Sequence, residues 1–160
     1  MTTSNHMKKH AKISPDGKYR YNLSRIWDEE KPKILFIMLN PATADDTVDD
    51  PTIRRVINYA KDWGYGGVFV GNLYAFRSKS PKDLRNIDNP MGENNIQEVY
   101  SLLELVEKVI YAWGNKKKEP SWLRERVDTP YCIDVGINGI PKHPLRLKLT
   151  LKCRLYERNS

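Results

Sequence analysis

The chain has 160 residues, 39% of them apolar, with four tryptophans and a formal net charge of +7. This length and composition predict one soluble globular domain and argue against a disordered chain. No apolar run approaches the roughly 20 residues that span a bilayer, and the polar, basic first residues lack the apolar region of a secretory signal. We therefore expect a cytoplasmic protein with no membrane partner.

The charge is unevenly distributed along the chain. Basic residues concentrate in segments 8–12, 116–118 and 142–158, whereas four aspartates cluster between residues 45 and 50. This asymmetry favours a nucleic acid or nucleotide partner whose phosphates are held by Lys and Arg, although an ordinary solvated surface is the alternative. No CxxC, HExxH or glycine-rich phosphate-binding motif occurs, so a tight metal site is not expected.

The predicted elements alternate between strands and helices. We expect a flexible basic tail over residues 1–18 and a single α/β domain over residues 19–160. The elements, in chain order within each type, are an edge strand or hairpin arm over 19–28, strands over 32–39, 66–73, 108–114 and 130–135, and helices over 51–63, 93–108 and 119–127. This order predicts a three-layer α/β/α sandwich with a mainly parallel sheet of four or five strands.

Ligands of open parallel sheets bind beyond the carboxyl ends of the strands, and here those ends carry polar, aromatic, Gly and Pro residues. The first buried strand ends at Asn40 and Pro41, which either stop the strand in a turn or line a site. Asp45 is a candidate general base, water-positioning group or Mg²⁺ ligand, the alternative being a charge near the next helix start. Asp50, directly before Pro51, is predicted to cap that helix.

The other strand ends supply further candidates. Asn72 carries both a donor and an acceptor, the combination that reads a pyrimidine edge, or else it bonds its own loop. Tyr74 and Trp113 are either platforms for stacking a base or core aromatics. His143 lies beside a proline in a loop, where a histidine is more often functional. Arg54 lies in the first turn of a helix, an unfavourable position for a cation, and is a candidate phosphate ligand.

Five segments resemble, in order, the motifs of a bacterial and phage family of unknown function numbered 1643: LNPATADDTVDDPTIRR, NLYAFRSKSPKDL, GENN, AWGN and KHPLRL. The resemblance covers about residues 20–150. The order of motifs is also similar to the uracil-DNA glycosylase superfamily, which has a parallel-sheet α/β/α fold. In that superfamily one strand ends in a water-activating motif, a second in an Asn that pairs with the flipped base, and a third in Trp-Gly, before a His-Pro-Ser loop that grips DNA.

The second resemblance implies a glycosylase-like hydrolase that cleaves the N-glycosidic bond of a flipped base without a metal or organic cofactor. It implies that Asn40 or Asp45 positions the attacking water, that Asn72 reads the base, and that His143 stabilises the departing base. The remaining substrate-binding residues that it implies are Pro41, Thr43, Tyr74, Trp113, Asn115, Arg54, Arg77, Lys142 and Arg146.

The sequence departs from the glycosylase pattern in three ways. The acid-Pro-Tyr triplet of the first motif is absent, Leu145 follows His143 and Pro144 where the superfamily has Ser, and no clear apolar wedge segment follows. These departures favour an alternative function, a non-catalytic protein that binds a nucleotide or nucleotide signal as a sensor or sponge. A third interpretation is a DNA- or protein-interaction module on the same scaffold.

Overall fold

One continuous sheet organises residues 6–158, which are the residues that the computed structural model describes. Within this range the sheet has seven strands in the order β1-β2-β4-β3-β5-β6-β7. The strands are β1 (Lys8–Ile13), β2 (Arg20–Ile26), β3 (Lys33–Met38), β4 (Gly67–Asn72), β5 (Lys108–Tyr111), β6 (Tyr131–Cys132) and β7 (Arg154–Leu155).

The sheet is mixed rather than mainly parallel. The four central strands β4, β3, β5 and β6 pair in parallel, whereas β1 with β2, β2 with β4, and β6 with β7 pair antiparallel. The α/β class is therefore confirmed, and the predicted sheet of four or five mainly parallel strands is wrong. Helical crossovers connect the parallel strands, whereas a tight turn around Gly17 joins β1 to β2 and forces an antiparallel pair.

β1 occupies residues that the sequence assigned to a flexible tail. Its six residues KKHAKI are mostly exposed, and their lysines make surface contacts rather than core contacts. Lys8 pairs with Glu29, and Lys12 pairs with Glu98. Lysines on an outer strand discourage pairing with another chain, which explains why a strand at this edge has the composition of a solvated segment. Residues 1–5 of the predicted tail lie outside the described range.

Helices cover both faces of the sheet. They are α1 (Pro51–Asp62), α2 (Asn95–Leu103) and α3 (Ser121–Arg124), with 3-10 turns at Pro81–Asn86 and Pro144–Arg146. Alternate residues of β3 point to opposite faces, so Phe36 packs in the same core as Ile53 of α1, and Leu35 in the same core as Val99 of α2. Within residues 6–158, no helix combines the length and the apolar composition needed to cross a membrane.

The start of α1 forms as predicted. Asp50 has an extended backbone, and its Oδ1 accepts a hydrogen bond from the Ile53 N–H at 2.9 Å. Pro51 takes the first helical position, where a missing N–H has no consequence. α2 is shorter than predicted, because Asn94 before it adopts a left-handed conformation and the helix ends at Leu103.

Candidate functional site

A cavity of about 210 Å³ lies at the carboxyl ends of β3 and β4. Its walls come from the segment after β3, the last residue of β4, the beginning of β2, the first turn of α1 and the loop around residue 143. Of the residues predicted from the sequence, it brings together Asn40, Pro41, Asn72, Asn115 and His143. Strand ends that are far apart in sequence meet here because β3 and β4 are parallel neighbours.

Asn72 is the most unusual side chain in this cavity. It is fully buried, and neither its Nδ2 nor its Oδ1 has a hydrogen-bond partner within residues 6–158. Its backbone is fixed, because Asn95 Nδ2 donates to the Asn72 carbonyl oxygen at 2.9 Å. Buried amide groups are nearly always paired, so an unpaired carboxamide in the wall of a cavity is a candidate contact for a ligand. The side chain does not bond its own loop, which was the alternative that the sequence left open.

Arg20 and Asp50 form a second polar part of the same cavity, linked through the backbone of Ala44. Arg20 Nη1 donates to the Ala44 carbonyl oxygen at 3.0 Å, and the Ala44 N–H donates to Asp50 Oδ2 at 3.2 Å. Burial lowers the pKa of Arg20 to about 10, and the negative charge of Asp50 partly offsets this effect. The sequence did not predict Arg20. A charged residue at the start of a predicted strand was the signal that could have found it.

Asn40 connects the segment after β3 to the loop after β4. Its Nδ2 lies within hydrogen-bonding distance of the carbonyl oxygens of Pro41 and Ser78, both at 3.1 Å, and of Phe76 at 3.4 Å. These contacts fix the orientation of the carboxamide, which leaves Oδ1 as its free polar atom. β3 ends at Met38, two residues before Asn40, and Asn40 lines the cavity.

His143 contributes an imidazole whose tautomer is set by its neighbours. The Leu145 N–H donates to His143 Nδ1 at 3.1 Å, so Nδ1 carries a lone pair and the proton of the neutral ring is on Nε2. Burial lowers the pKa of His143 below its ordinary value of 6.5. The ring is therefore neutral at physiological pH and able to donate one hydrogen bond from Nε2.

This lowered pKa predicts a loss of stability in acid. The unfolded chain takes up a proton at His143 near pH 6.5, whereas the folded protein takes it up only at lower pH. The stability present above pH 6.5 should therefore decline as the pH falls through this window, because burial disfavours the charged imidazolium in the folded protein. NMR titration of the His143 ring and urea unfolding at several pH values would measure both effects.

A His143→Asn variant is the matched control, because an amide oxygen can accept from the Leu145 N–H without titrating. Its stability should change less with pH than that of the wild type across the same range. An equal pH dependence of stability in the two proteins would show that a group other than His143 causes the loss of stability in acid.

Two predicted polar residues shape the surrounding loops instead of lining the cavity. Asp45 Oδ1 accepts hydrogen bonds from the N–H groups of Thr47 at 2.9 Å and Val48 at 2.8 Å, and these bonds lower the pKa of its carboxyl group. Arg77 donates to the carbonyl oxygens of Ala42 and Thr43, both at 3.2 Å. Asp45 therefore closes a turn before α1, and Arg77 braces the segment after β3.

The aromatic candidates and Arg54 also have structural contacts. Trp113 is fully buried in the core, and its Nε1 donates to the Lys117 carbonyl oxygen. The Tyr74 ring lies 5.0 Å from the Lys117 ammonium. Arg54 is exposed on α1 and donates from Nη1 to the Asp49 carbonyl oxygen at 3.2 Å. None of these three residues lines the cavity.

A wider groove of about 720 Å³ adjoins the cavity. The two share Asn115, His143 and Leu145, and the groove is further lined by Lys142 and Arg146. Lys142 Nζ lies 3.3 Å from a carboxylate oxygen of Asp134, so its charge is partly neutralised. The predicted basic residues of segment 142–146 thus border the entrance to the cavity.

The chain was compared with family models, curated proteins and solved structures. The model of a family described as "Protein of unknown function (DUF1643)" matches residues 20–145. No curated protein and no solved structure matches the chain. The likeness to uracil-DNA glycosylases and the bacterial or phage origin therefore stay predictions, whereas the family match covers most of the sequence and includes every residue named above as lining the cavity. The chain belongs to the DUF1643 family.

Proposed function

We propose that the protein recognises a nucleobase in the cavity at the ends of β3 and β4. The observation that carries this proposal is the fully buried carboxamide of Asn72, whose donor and acceptor are both unpaired within residues 6–158. A nucleobase edge presents a donor next to an acceptor at matching spacing, so one planar ligand can satisfy both atoms. The favourable free energy of binding is large, because a buried polar group without a hydrogen-bond partner is destabilising in the ligand-free protein.

The size of the cavity supports a base as the ligand part that enters it. Its volume of about 210 Å³ is below the range of roughly 300–1,000 Å³ typical of sites for drug-sized ligands. A single ring system suits such a space better than a whole nucleotide. The sugar and phosphate would then occupy the adjoining groove, where Lys142 and Arg146 lie. Phosphates favour such basic positions.

We further propose hydrolysis of the N-glycosidic bond of a base flipped from DNA. Asn40 Oδ1 would accept a hydrogen bond from a water and position it for attack on the sugar C1′. The bond from C1′ to the base nitrogen breaks with its electron pair moving to the base, and the proton released by the water restores the neutral base. His143 would stabilise the negative charge of the departing base by donating from Nε2.

The second candidate function is binding without cleavage, and the position of the acids favours it. Within residues 6–158, Asp50 is the carboxylate that lines the cavity, and both of its oxygens already accept backbone hydrogen bonds, from Ile53 and Ala44. Both carboxylate oxygens of Asp50 thus already have structural partners at the start of α1 and in the segment before it. Asp45 lies outside the cavity. On this alternative the protein holds a nucleotide or a nucleotide signal.

A glycosylase assay with an Asn40→Ala variant separates the two functions. We expect the wild type to leave abasic sites, detected as alkali-labile breaks, in oligonucleotides that carry uracil or modified bases. Asn40→Ala should lower the rate by at least about 100-fold, since positioned groups of this kind contribute on that order and the variant also loses the hydrogen bonds that hold the loops around the cavity. The matched control is Asn58→Ala, because Asn58 is an exposed residue on α1.

Three outcomes of this experiment are informative. Breaks that depend on Asn40 but not on Asn58 support hydrolysis. Nucleotide or oligonucleotide binding without breaks supports the non-catalytic alternative. Absence of both binding and breaks in the wild type would overturn the proposed function.

A further inference from the structure

Arg20 and Arg25 of β2 are both buried, but their guanidinium groups differ in how many hydrogen-bond acceptors they have inside the protein. Arg25 is fully buried, and its Nε donates to Asp49 Oδ1 at 2.7 Å, while Nη1 donates to the Ser24 carbonyl oxygen at 2.9 Å. Arg20 is 2% exposed, and its Nη1 donates to the carbonyl oxygen of Ala44. Its Nε has no acceptor within residues 6–158. Arg25 therefore has a complete set of internal partners, and Arg20 does not.

The unpaired part of Arg20 is one edge of the guanidinium group. In arginine, the Nε–H and one N–H of Nη2 point in the same direction and together form a fork. Nη1, on the other side, is the nitrogen that Ala44 engages. Arg20 lines the same cavity as Asn72. A buried cationic donor without an acceptor is costly in free energy, so this edge of a residue in the cavity wall is a candidate contact for a ligand.

We propose that Arg20 is a specificity-determining residue that donates from this edge to an oxygen acceptor of the bound ligand. This inference rests on the proposed function, because Asn72 and Arg20 would then contact the same molecule. The Asn72 carboxamide would form hydrogen bonds with one donor and one acceptor of the ligand. The Arg20 guanidinium would donate to an additional oxygen of the same ligand. A ligand that places a donor or a carbon at that position leaves the guanidinium unpaired and is rejected.

The charge of the cavity does not require the acceptor to be an anion. Asp50 lines the same space and offsets the charge of Arg20, whereas Lys79 adds a second cation to the lining, so a neutral or an anionic oxygen fits. A neutral carbonyl oxygen on the base and a phosphate oxygen share the chemistry that the Arg20 edge recognises. The two sources differ in which part of a nucleotide they belong to, and that difference makes them separable by experiment.

Calorimetric titration with matched nucleosides and nucleotides tests the inference. The probes are uridine, thymidine, cytidine and guanosine, each as the nucleoside and as the 5′-monophosphate, added to the wild type and to Arg20→Met. We expect Arg20→Met to weaken the best-bound probe by about 10- to 100-fold, as for the loss of a hydrogen bond to a charged group. An equal loss for nucleoside and monophosphate identifies a base oxygen, and a loss confined to the monophosphate identifies the phosphate.

The failure of this inference is distinguishable from that of the proposed function. Suppose that Arg20→Met binds every probe as the wild type does, while Asn72→Leu binds none. Arg20 then does not contact the ligand, whereas the proposed function is still supported. If the wild type binds no probe, both are overturned.

A purely structural role for Arg20 is tested by thermal unfolding without ligand. Arg25→Met should lower the melting temperature markedly, whereas Arg20→Met should lower it much less, since Arg20 gives up one internal hydrogen bond. Equal losses for the two variants would show that Arg20 supports the fold and would contradict the inference. Arg20→Lys keeps the charge but removes the fork, so it should remain folded and show the same weakening of the best-bound probe.

Discussion

Asn72→Leu should stabilise the ligand-free protein and abolish ligand binding. The substitution replaces a fully buried carboxamide, with both polar atoms unpaired in residues 6–158, by an apolar side chain of similar size. Removing an unpaired buried amide should raise the free energy of unfolding by about 1–2 kcal/mol. The same change removes the groups that we propose to read the base. Urea unfolding and calorimetric titration with the nucleoside and nucleotide probes measure the two effects.

Asn95→Leu is the matched control for this experiment. Asn95 is also buried, and its Oδ1 is unpaired within residues 6–158, but its Nδ2 donates to the carbonyl oxygens of Asn72 and Leu73. Its replacement leaves both carbonyl groups without that donor, so it should lower the free energy of unfolding by about 1–3 kcal/mol. Two neighbouring Asn→Leu changes would thus act in opposite directions. Destabilisation by Asn72→Leu of the same size as by Asn95→Leu would mean that Asn72 is a structural residue.

Arg25→Met should be the most destabilising of the substitutions considered. Arg25 is fully buried, and it joins β2 to the segment before α1 through Asp49 at 2.7 Å. Removing Arg25 leaves buried carbonyl groups, among them that of Ser24, without their donor. Asp49 is 19% exposed and keeps Lys9 Nζ at 3.6 Å, so we expect a loss of about 3 kcal/mol, the lower end of the range for a broken buried ion pair. The free energy of unfolding in urea is the direct measurement.

Lys8→Met gives the reference for a surface ion pair. Lys8 Nζ lies 2.6 Å from Glu29 Oε2, but the side chains of Lys8 and Glu29 are 72% and 58% exposed. Exposed pairs of this kind contribute little to stability, because both charges stay solvated and are screened by salt. If Arg25→Met lowered the free energy of unfolding no more than Lys8→Met does, the contacts of Arg25 would not hold the segment before α1 in place.

The central strands and α1 were predictable from the sequence because their signals are local. β3 and β4 are buried on both faces and therefore read as continuous apolar runs. The start of α1 depends on a cap and a proline adjacent in sequence, Asp50 and Pro51. The strand-end rule also indicated where the cavity lies, since it depends on strand direction and not on the strand order.

The outer strands and half of the cavity were not predictable for a physical reason. β1 and β7 take their stability from pairing with β2 and β6, and their exposed, basic residues resemble those of a solvated segment. Arg20 reaches the cavity because β2 pairs antiparallel with β4, a long-range contact that no short pattern encodes. In the sequence, Asp45 follows a strand end and resembles a site carboxylate. In the structure its carboxylate accepts hydrogen bonds from the N–H groups of Thr47 and Val48 in its own turn.

The loops around the cavity are tied by side-chain donors to main-chain carbonyl oxygens. Asn40 and Arg77 make such bonds to the segments 41–43 and 76–78. Every amino acid offers the same carbonyl group, so the acceptor positions impose no demand on the identity of the residue that occupies them. At these acceptor positions the contact with Asn40 or Arg77 survives a change of side chain. The shape of this part of the loops therefore depends on the two donors more than on the residues that they hold.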